Sequence, residues 1–396
     1  MLNLYCKAWE RASKYILFAM QGSQERYLLN GAQVIARAAV EAGIRFFAGY
    51  PITPASYIYH EMIRLLRQVG GVAVGASDEI SALSYCVGAS LRGLPAMTAT
   101  AAPGFSLMVE TLSYALMTET PVVLVIAQRL GPATGAATAS AQGDLLLAAF
   151  ANSGAYPVPV LSPTSVHDAY AITQHAVRTA ETLRTPVILL TEKETVMSTE
   201  TVLPEHLTGP GPAARPRFSG GRPFKTYDFQ NLADVPPFAP VGGPVKVRVT
   251  GSAHDREGFL KKDDPEVLET LRHLYEKIMA GLPDFFFAEQ EGGPAPLTVL
   301  SFGGTARAAR QAVHQARAQG IAVNLVVLKT LWPLRRDLLQ PLLSGTQALI
   351  VAEENLWGQL ALLLQATLPE IPIHRVNAIG RLVTPEEILE EVRRHA

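Results

Sequence analysis

Five short apolar runs recur in the first half of the chain: Ile44–Ala48, Val72–Ala76, Ala96–Thr100, Val122–Gln128 and Val187–Thr191. Between them lie stretches with helical spacing, at Asn30–Gly43, Glu79–Leu91, Phe105–Met117 and Ser165–Thr182. The runs are nearly continuous in apolar residues rather than alternating, so both faces of each strand must be covered. That is the property of a parallel sheet with helices packed on its two sides. Gly43 is placed to close the first helix, since glycine enters the left-handed C-terminal turn without steric cost.

The pattern pauses and resumes. Pro204 to Pro244 is rich in Pro and Gly and reads as a connector that wraps the surface. Glu266–Met279 has amphipathic helical spacing, with its charged positions expected on a solvated face. A second strand–helix series follows: Leu297–Phe302, a Gly303-Gly304-Thr305 turn into a helix reaching Ala318, then Ala322–Leu328, Leu349–Ala352 and Trp357–Leu368. The expected division is 1–23 as an N-terminal extension with Met20 as an alternative start, 24–203, 204–293 and 294–396. A length of 396 residues suits two or three domains.

Composition narrows the function. Net charge is −1 and no basic stripe carries interleaved aromatics, so nucleic-acid binding has no electrostatic support. The two cysteines, Cys6 and Cys86, are far apart. An iron–sulfur cluster normally takes four thiolates, so this chain is not expected to hold one alone, and no disulfide framework is expected. A reducing, cytoplasmic setting fits. No run of about 18 apolar residues predicts a membrane span. Tyr15–Met20, preceded by Lys7, Arg11 and Lys14, is too short for a usual signal peptide.

Three segments carry chemistry. Glu79 opens a helix after Ser77, the expected cap, and that helix is rich in small residues: Ala82, Ser84, Cys86, Gly88, Ala89 and Ser90. A first-turn acid is also an ordinary structural feature. What distinguishes this one is the helix behind it, which lets a ligand or backbone approach closely. Tyr50-Pro51-Ile52-Thr53-Pro54 ends a strand in a proline-rigidified turn and offers the Thr53 hydroxyl. Arg129 follows an apolar strand and opens a Gly/Pro/Thr loop, a position suited to a guanidinium that grips a carboxylate in bidentate fashion. Gln142 and Asp144 are secondary candidates, expected to lie near the site rather than to transfer protons. His254 with Asp255 is expected to be a solvated loop pair, since no other metal ligand clusters with it.

These segments resemble the alpha subunits of 2-oxoacid:ferredoxin oxidoreductases. The likeness rests on Tyr50-Pro51-Ile52-Thr53-Pro54, the nine-residue step from Glu79 to Gly88, Ala96–Val125, Ala127–Gly135 and Ala141–Leu145. It continues through Val249-Thr250-Gly251, Asp264-Pro265-Glu266-Val267, Ser301-Phe302-Gly303-Gly304-Thr305, Leu331-Trp332-Pro333 and Glu353–Leu360, so it spans roughly residues 24–396. It implies an α/β chain: a doubly wound, pyrimidine-type thiamine diphosphate-binding domain over 24–203, the connecting segment 204–293, and a transketolase C-terminal-like α/β domain over 294–396. It further implies that Glu79 hydrogen-bonds the cofactor's aminopyrimidine and favours the imino tautomer that removes the thiazolium proton. Tyr50, Pro51 and Ile52 line the cofactor, and Thr53 and Arg129 hold the substrate carboxylate.

The resemblance also implies what lies elsewhere. The family holds the diphosphate through magnesium on a Gly-Asp-Gly segment with a following asparagine. Gly143-Asp144-Leu145 lacks the second glycine and that asparagine. No metal is therefore expected on this chain, and Mg2+ and [4Fe-4S] clusters are expected on a beta subunit that shares the thiamine diphosphate. A gamma module would be a separate chain, and ferredoxin would act through the complex. The implied reaction turns a 2-oxoacid and coenzyme A into acyl-CoA and CO2, with 2-oxoglutarate favoured over pyruvate, branched-chain and aryl 2-oxoacids. A catalytically silent scaffold subunit is the alternative from another class. It draws on the Ala101-Ala102 departure, where Thr100-Ala101-Ala102-Pro103-Gly104 replaces the usual Thr-Ser-Gly-Pro-Gly; Ala137 in place of a proline is a further departure that bears on substrate range.

Overall fold

The computed structural model describes residues 25–221 and 223–396. The expectations for residues 1–23, including Met20 as a start, lie outside the described residues. The larger sheet has seven strands in the order β12-β6-β7-β5-β4-β2-β3. These are β2 (Phe46–Gly49), β3 (Val72–Gly75), β4 (Ala96–Thr100), β5 (Val122–Gln128), β6 (Val160–Leu161), β7 (Pro186–Glu192) and β12 (Thr330–Trp332). All pairings are parallel except that of β12 with β6. A five-stranded sheet runs β14-β13-β10-β11-β9, with β9 (Ala288–Glu291) antiparallel to β11 (Val323–Leu328). Its other members are β10 (Leu297–Phe302), β13 (Ala348–Glu353) and β14 (Ile373–Asn377). A small ribbon pairs β1 (Tyr27–Asn30) with β8 (Thr199–Val202).

The continuous apolar runs are explained by where alternate residues go. Along β5, Val122, Leu124 and Ile126 enter one buried cluster, while Val123, Val125 and Ala127 enter the cluster on the opposite face. With a side-chain period of two, a strand covered on both faces must be apolar throughout. The first cluster continues into Leu300, Phe302, Val326, Leu328 and Val351 of the second sheet, so the two sheets share packed surface.

Three expectations are corrected. The cap of the Glu79–Leu91 helix is Asp78, not Ser77: the Asp78 carboxylate accepts the Ser81 backbone N–H at 2.7 Å. Asp78 is the residue whose extended backbone aims its side chain at the free N–H groups of the first turn. The charged positions of the 266–279 segment are not all solvated. The helix runs Pro265–Phe285 and buries His273 and Lys277 against Glu119, because it packs on the first sheet's helices. His254 and Asp255 are buried too. The His254 ring stacks on Tyr227 at 4.0 Å, and the Asp255 carboxylate accepts the backbone N–H groups of Glu257 and Phe259.

Arginines fasten the Pro- and Gly-rich stretch 204–244 to the first domain's helices. Arg215 makes a two-pronged contact with Glu181 and donates to the Ser90 carbonyl, and Arg184 donates to the Pro236 carbonyl at 2.8 Å. Among the described residues no helix is long and apolar enough to cross a membrane.

Candidate active site

In the seven-stranded sheet, β2 leads to β3 on one side and β3 crosses to β4 on the other. Such a reversal leaves a crevice beyond the carboxyl ends of the strands. The sequence candidates converge on that edge. The Tyr50–Pro54 loop leaves β2, Glu79 follows β3, Thr100–Gly104 follows β4 and Arg129 follows β5. Parallel strands place all these exits on the same side of the sheet.

Glu79 sits in the first turn of its helix and is 7% exposed. No hydrogen bond among the described residues engages its carboxylate. The floor beneath it is Gly104. A Cβ at Gly104 would stand 2.6 Å from Glu79 Oε1 and 2.3 Å from Thr100 Oγ1, inside contact distance. Farther along the same helix, a Cβ at Gly88 would meet nothing within 4 Å, and Ser84 is exposed. The result is a buried, unpartnered acid beside a helix face with little bulk.

The neighbouring departure from the family pattern has a local explanation. Ala101 occupies the N-cap of the Ala102–Met117 helix and supplies no side-chain cap. A serine there would supply one, worth about 0.5–2 kcal/mol. Ala102 already has a helical backbone, so the position does not need glycine's freedom. The substitution weakens a helix start and leaves the Gly104 floor intact.

Thr53 and Arg129 are joined directly: Arg129 Nη1 donates to the Thr53 carbonyl at 2.5 Å. No hydrogen bond among the described residues engages the Thr53 hydroxyl, and buried Arg129 Nε has no partner among them either. The Arg129 loop is pinned by backbone pairing of Leu130 with Ala136. It turns at Gly135, where φ is +50° and a Cβ would lie 1.7 Å from the Leu130 carbonyl oxygen, so only glycine fits. Tyr50 and Pro51 are exposed on the β2 loop, while Ile52 is half-buried and packs into the core below.

Gln142 does more than lie nearby. Its side chain donates to Glu192 at 2.6 Å and to the Phe302 carbonyl, and accepts from Thr305 Oγ1 and the Glu354 backbone N–H. Its backbone N–H donates to the Glu354 carbonyl at 2.7 Å. Gln142 is thus the joint between the two sheets. Gly303-Gly304-Thr305 holds a carboxyl group of the chain itself, since Gly304 N–H donates to the Glu192 side-chain oxygens. Burial, then the neighbouring Glu354, pushes Glu192 up to about 8. Sequence reasoning missed this network because Gln142's partners lie 50 to 212 positions away. The Gly104 floor was open to inference, as a glycine just inside a helix start after an apolar strand.

Among the described residues, His374, Glu391 and His395 lie close enough to share a cation. The two imidazoles, however, stack face to face at 3.5 Å, and His374 is near the start of β14, away from this edge. Stacked rings aim their lone pairs side by side rather than at one point.

Residues 37–272 match the family described as pyruvate flavodoxin/ferredoxin oxidoreductase, thiamine diphosphate-binding, and residues 295–388 match pyruvate:ferredoxin oxidoreductase core domain II. The chain is 36% identical to 2-oxoglutarate synthase subunit KorA of Methanothermobacter marburgensis, over 93% of this chain and 98% of that protein. It is 29% identical to the alpha subunit of the Saccharolobus solfataricus 2-oxoacid:ferredoxin oxidoreductase, over 96% of this chain and 63% of that longer one. Among solved structures, the 2-oxoglutarate:ferredoxin oxidoreductase of Magnetococcus marinus, with 2-oxoglutarate, coenzyme A and succinyl-CoA bound, superposes with a TM-score of 0.88 at 30% identity. That alignment covers 98% of this chain and 69% of the other. A split-gene transketolase shares the fold at a TM-score of 0.53 and 14% identity. With both halves matched in order and nearly the full length aligned, the chain belongs to the 2-oxoacid:ferredoxin oxidoreductase family, as a subunit of the alpha type.

Proposed function

We propose that this chain is the pyrimidine-and-substrate half of a thiamine-dependent enzyme that converts 2-oxoglutarate and coenzyme A to succinyl-CoA and CO2, passing electrons to ferredoxin. The observation that carries the reading is the Glu79 carboxylate, buried and unpartnered above Gly104 within a segment that matches a thiamine diphosphate-binding family. The fit to an aminopyrimidine is chemical: the missing Cβ at Gly104 lets the Glu79 carboxylate sit against the next helix, and a ring nitrogen needs one such unpartnered acid. Thiamine diphosphate, when bound, supplies the stabilised carbanion on which decarboxylation of a 2-oxoacid depends.

The chain's own residues then have distinct tasks. Glu79 shares a proton with the ring nitrogen. The Arg129 guanidinium and the Thr53 hydroxyl bind the substrate carboxylate. The Arg129–Thr53 bond keeps these two groups in register. A beta subunit would hold the diphosphate, the Mg2+ and the [4Fe-4S] clusters.

The test is to co-express the chain with a beta partner and measure acyl-CoA formation from 2-oxoglutarate, pyruvate, branched-chain and aryl 2-oxoacids. The highest kcat/KM is expected for 2-oxoglutarate. A preference for pyruvate would overturn the substrate. A colourless oligomer of this chain alone, inert with a loaded partner, would overturn the enzyme.

Two variants probe the geometry in that complex. Thr53→Val keeps the backbone carbonyl that Arg129 uses and removes the hydroxyl. It should raise KM for the 2-oxoacid about tenfold, the value of one hydrogen bond to a charged group, with KM for coenzyme A unchanged. Equal shifts in both constants would exclude a carboxylate contact. Gly104→Ala forces Glu79 off its seat and should lower kcat about 100-fold without preventing assembly. Near-normal turnover would show that Glu79 is not held where chemistry needs it.

A further inference from the structure

The loop that carries Arg129 leaves the first sheet at the end of β5 and returns as the Leu145–Phe150 helix. Its base is closed by one bond: the Asp144 backbone N–H donates to Gln128 Oε1 at 3.1 Å. Gln128 is fully buried and immediately precedes Arg129, so this bond fixes where the arginine leaves the sheet. Inside the loop, Leu130 N–H donates to the Ala139 carbonyl and Ala136 N–H to the Leu130 carbonyl, while residues 131–135 are exposed.

The same peptide group is held a second time, from the second sheet. Gln359 Nε2 donates to the Gly143 carbonyl at 2.7 Å, and Gln359 Oε1 accepts the Leu146 N–H at 2.9 Å. A backbone carbonyl can only accept and a backbone N–H can only donate, so the orientation of this amide is dictated. The Gly143 carbonyl and the Asp144 N–H belong to one planar peptide. That peptide is clamped between two side-chain amides, Gln359 on its carbonyl and Gln128 on its N–H. Bonds in such a chain polarise and strengthen one another.

Gln359 is a firm anchor. It opens the Gln359–Thr367 helix, where the Asn355 side chain accepts the N–H groups of Gly358 and Gln359. The Glu353 carboxyl oxygens accept those of Leu360 and Ala361. Asn355 also donates to the Gln142 carbonyl at 3.1 Å, one residue before Gly143. Gln142 joins the sheets too, but its side chain bonds Glu192, Phe302, Thr305 and Glu354 rather than the base of the Arg129 loop.

We propose that Gln359 is a positioning residue for substrate binding: from the second sheet it sets the Arg129 guanidinium through the Gly143–Asp144 peptide and Gln128. The inference rests on the reading of Arg129 as the ligand of the 2-oxoacid carboxylate, and it deepens that reading. Affinity for the 2-oxoacid, read in the first half of the chain, depends on a contact made by the second half. A merely structural joint would instead lower stability and alter every kinetic constant alike.

The experiment uses the reconstituted complex, with 2-oxoglutarate as probe. Gln359→Glu keeps the acceptor that Leu146 uses and replaces the donor to Gly143 by a second acceptor. It should raise KM for 2-oxoglutarate about tenfold, with kcat within about twofold and KM for coenzyme A level, since a uniform loss of carboxylate binding appears in KM alone. Gln359→Met, uncharged and of similar length, should give the same rise, which removes repulsion of the anionic substrate as its cause. Combined with Arg129→Lys, either change should add less than about twofold, because a residue acting through the guanidinium has nothing left to set. Amide hydrogen exchange over residues 129–146 should quicken in both variants while β7 keeps its protection. An unchanged KM in the methionine variant would overturn the proposal. So would an equal rise for coenzyme A, or full additivity with Arg129→Lys. A wild-type complex that oxidises no 2-oxoacid would instead overturn the functional reading on which the proposal stands.

Discussion

Glu79→Gln should lower kcat of the reconstituted complex by about 10²–10⁴-fold, the usual contribution of a placed general acid or base. The amide is nearly isosteric with the acid, so it stays above Gly104 and the subunits assemble. It cannot share a proton with a ring nitrogen. Two readouts separate this from general damage. Acyl-CoA formation reports turnover, and solvent exchange of the thiazolium proton, followed by NMR on the complex, reports activation alone. Both should fall together. If exchange stays at the wild-type rate, the buried acid has another role and the assignment fails. The expectation depends on Glu79 having no hydrogen-bond partner among the described residues: an acid already engaged in a salt bridge would lose far less.

The largest effect on stability is expected far from the site. Glu119 and Lys277 form a direct ion pair with His273 as a third member, and all three are buried. Burial alone would raise Glu119, yet Lys277, His273 and Arg184 together hold its carboxyl well below the usual range. Lys277 feels burial most and is pushed down by it. Glu119 is held down because the Lys277 and Arg184 cations both face its one carboxylate. Lys277→Met removes one partner and strands a charge in the interior. The cost should be about 3–5 kcal/mol, against a total of about 5–15 kcal/mol for a folded domain. Urea unfolding of the purified chain measures it. Adding Glu119→Gln to the same chain should restore much of the loss, because the stranded charge disappears. A double variant no more stable than the single one would show that the pair's value lies in packing. The pair also explains how the connecting segment is held: His273 bonds the Leu232 carbonyl at 2.7 Å, so the network reaches from the first sheet's helices into the wrapping chain.

Strand and helix positions were largely readable because their signal is local. Ala96–Thr100, Val122–Gln128 and Leu297–Phe302 match the observed strands residue for residue, and Glu79–Leu91 matches its helix. Each is bounded by Pro, Gly or a polar break, and each is apolar enough to require two covered faces. Short or half-exposed elements escaped: β6 has two residues, β12 has three, and β14 sets polar His374 and Arg375 next to each other between Ile373 and Val376. Such segments become strands because a neighbour offers a free edge, and the neighbour lies far away in the chain. Capping failed by one residue at Ser77 for a similar reason: Ser and Asp are both good caps, and backbone angles choose between them.

The candidate site divides along the same line. Residue type and strand–turn–helix order made Glu79, Thr53 and Arg129 candidates, and only the resemblance to the 2-oxoacid:ferredoxin oxidoreductases weighted them above ordinary structural residues; parallel strands send their exits to one edge. Nothing local says that Arg129 would reach the Thr53 carbonyl, 76 positions away, or that Gly104 would lie under the Glu79 carboxylate. The same holds for Gln142, which joins two sheets, and for Asp144, whose buried oxygen finds no donor. Burial, unmet hydrogen bonds and the contacts that shift a proton equilibrium belong to three-dimensional neighbours. They exist only once the chain has closed on itself, and they separate a residue able to do chemistry from one placed to do it.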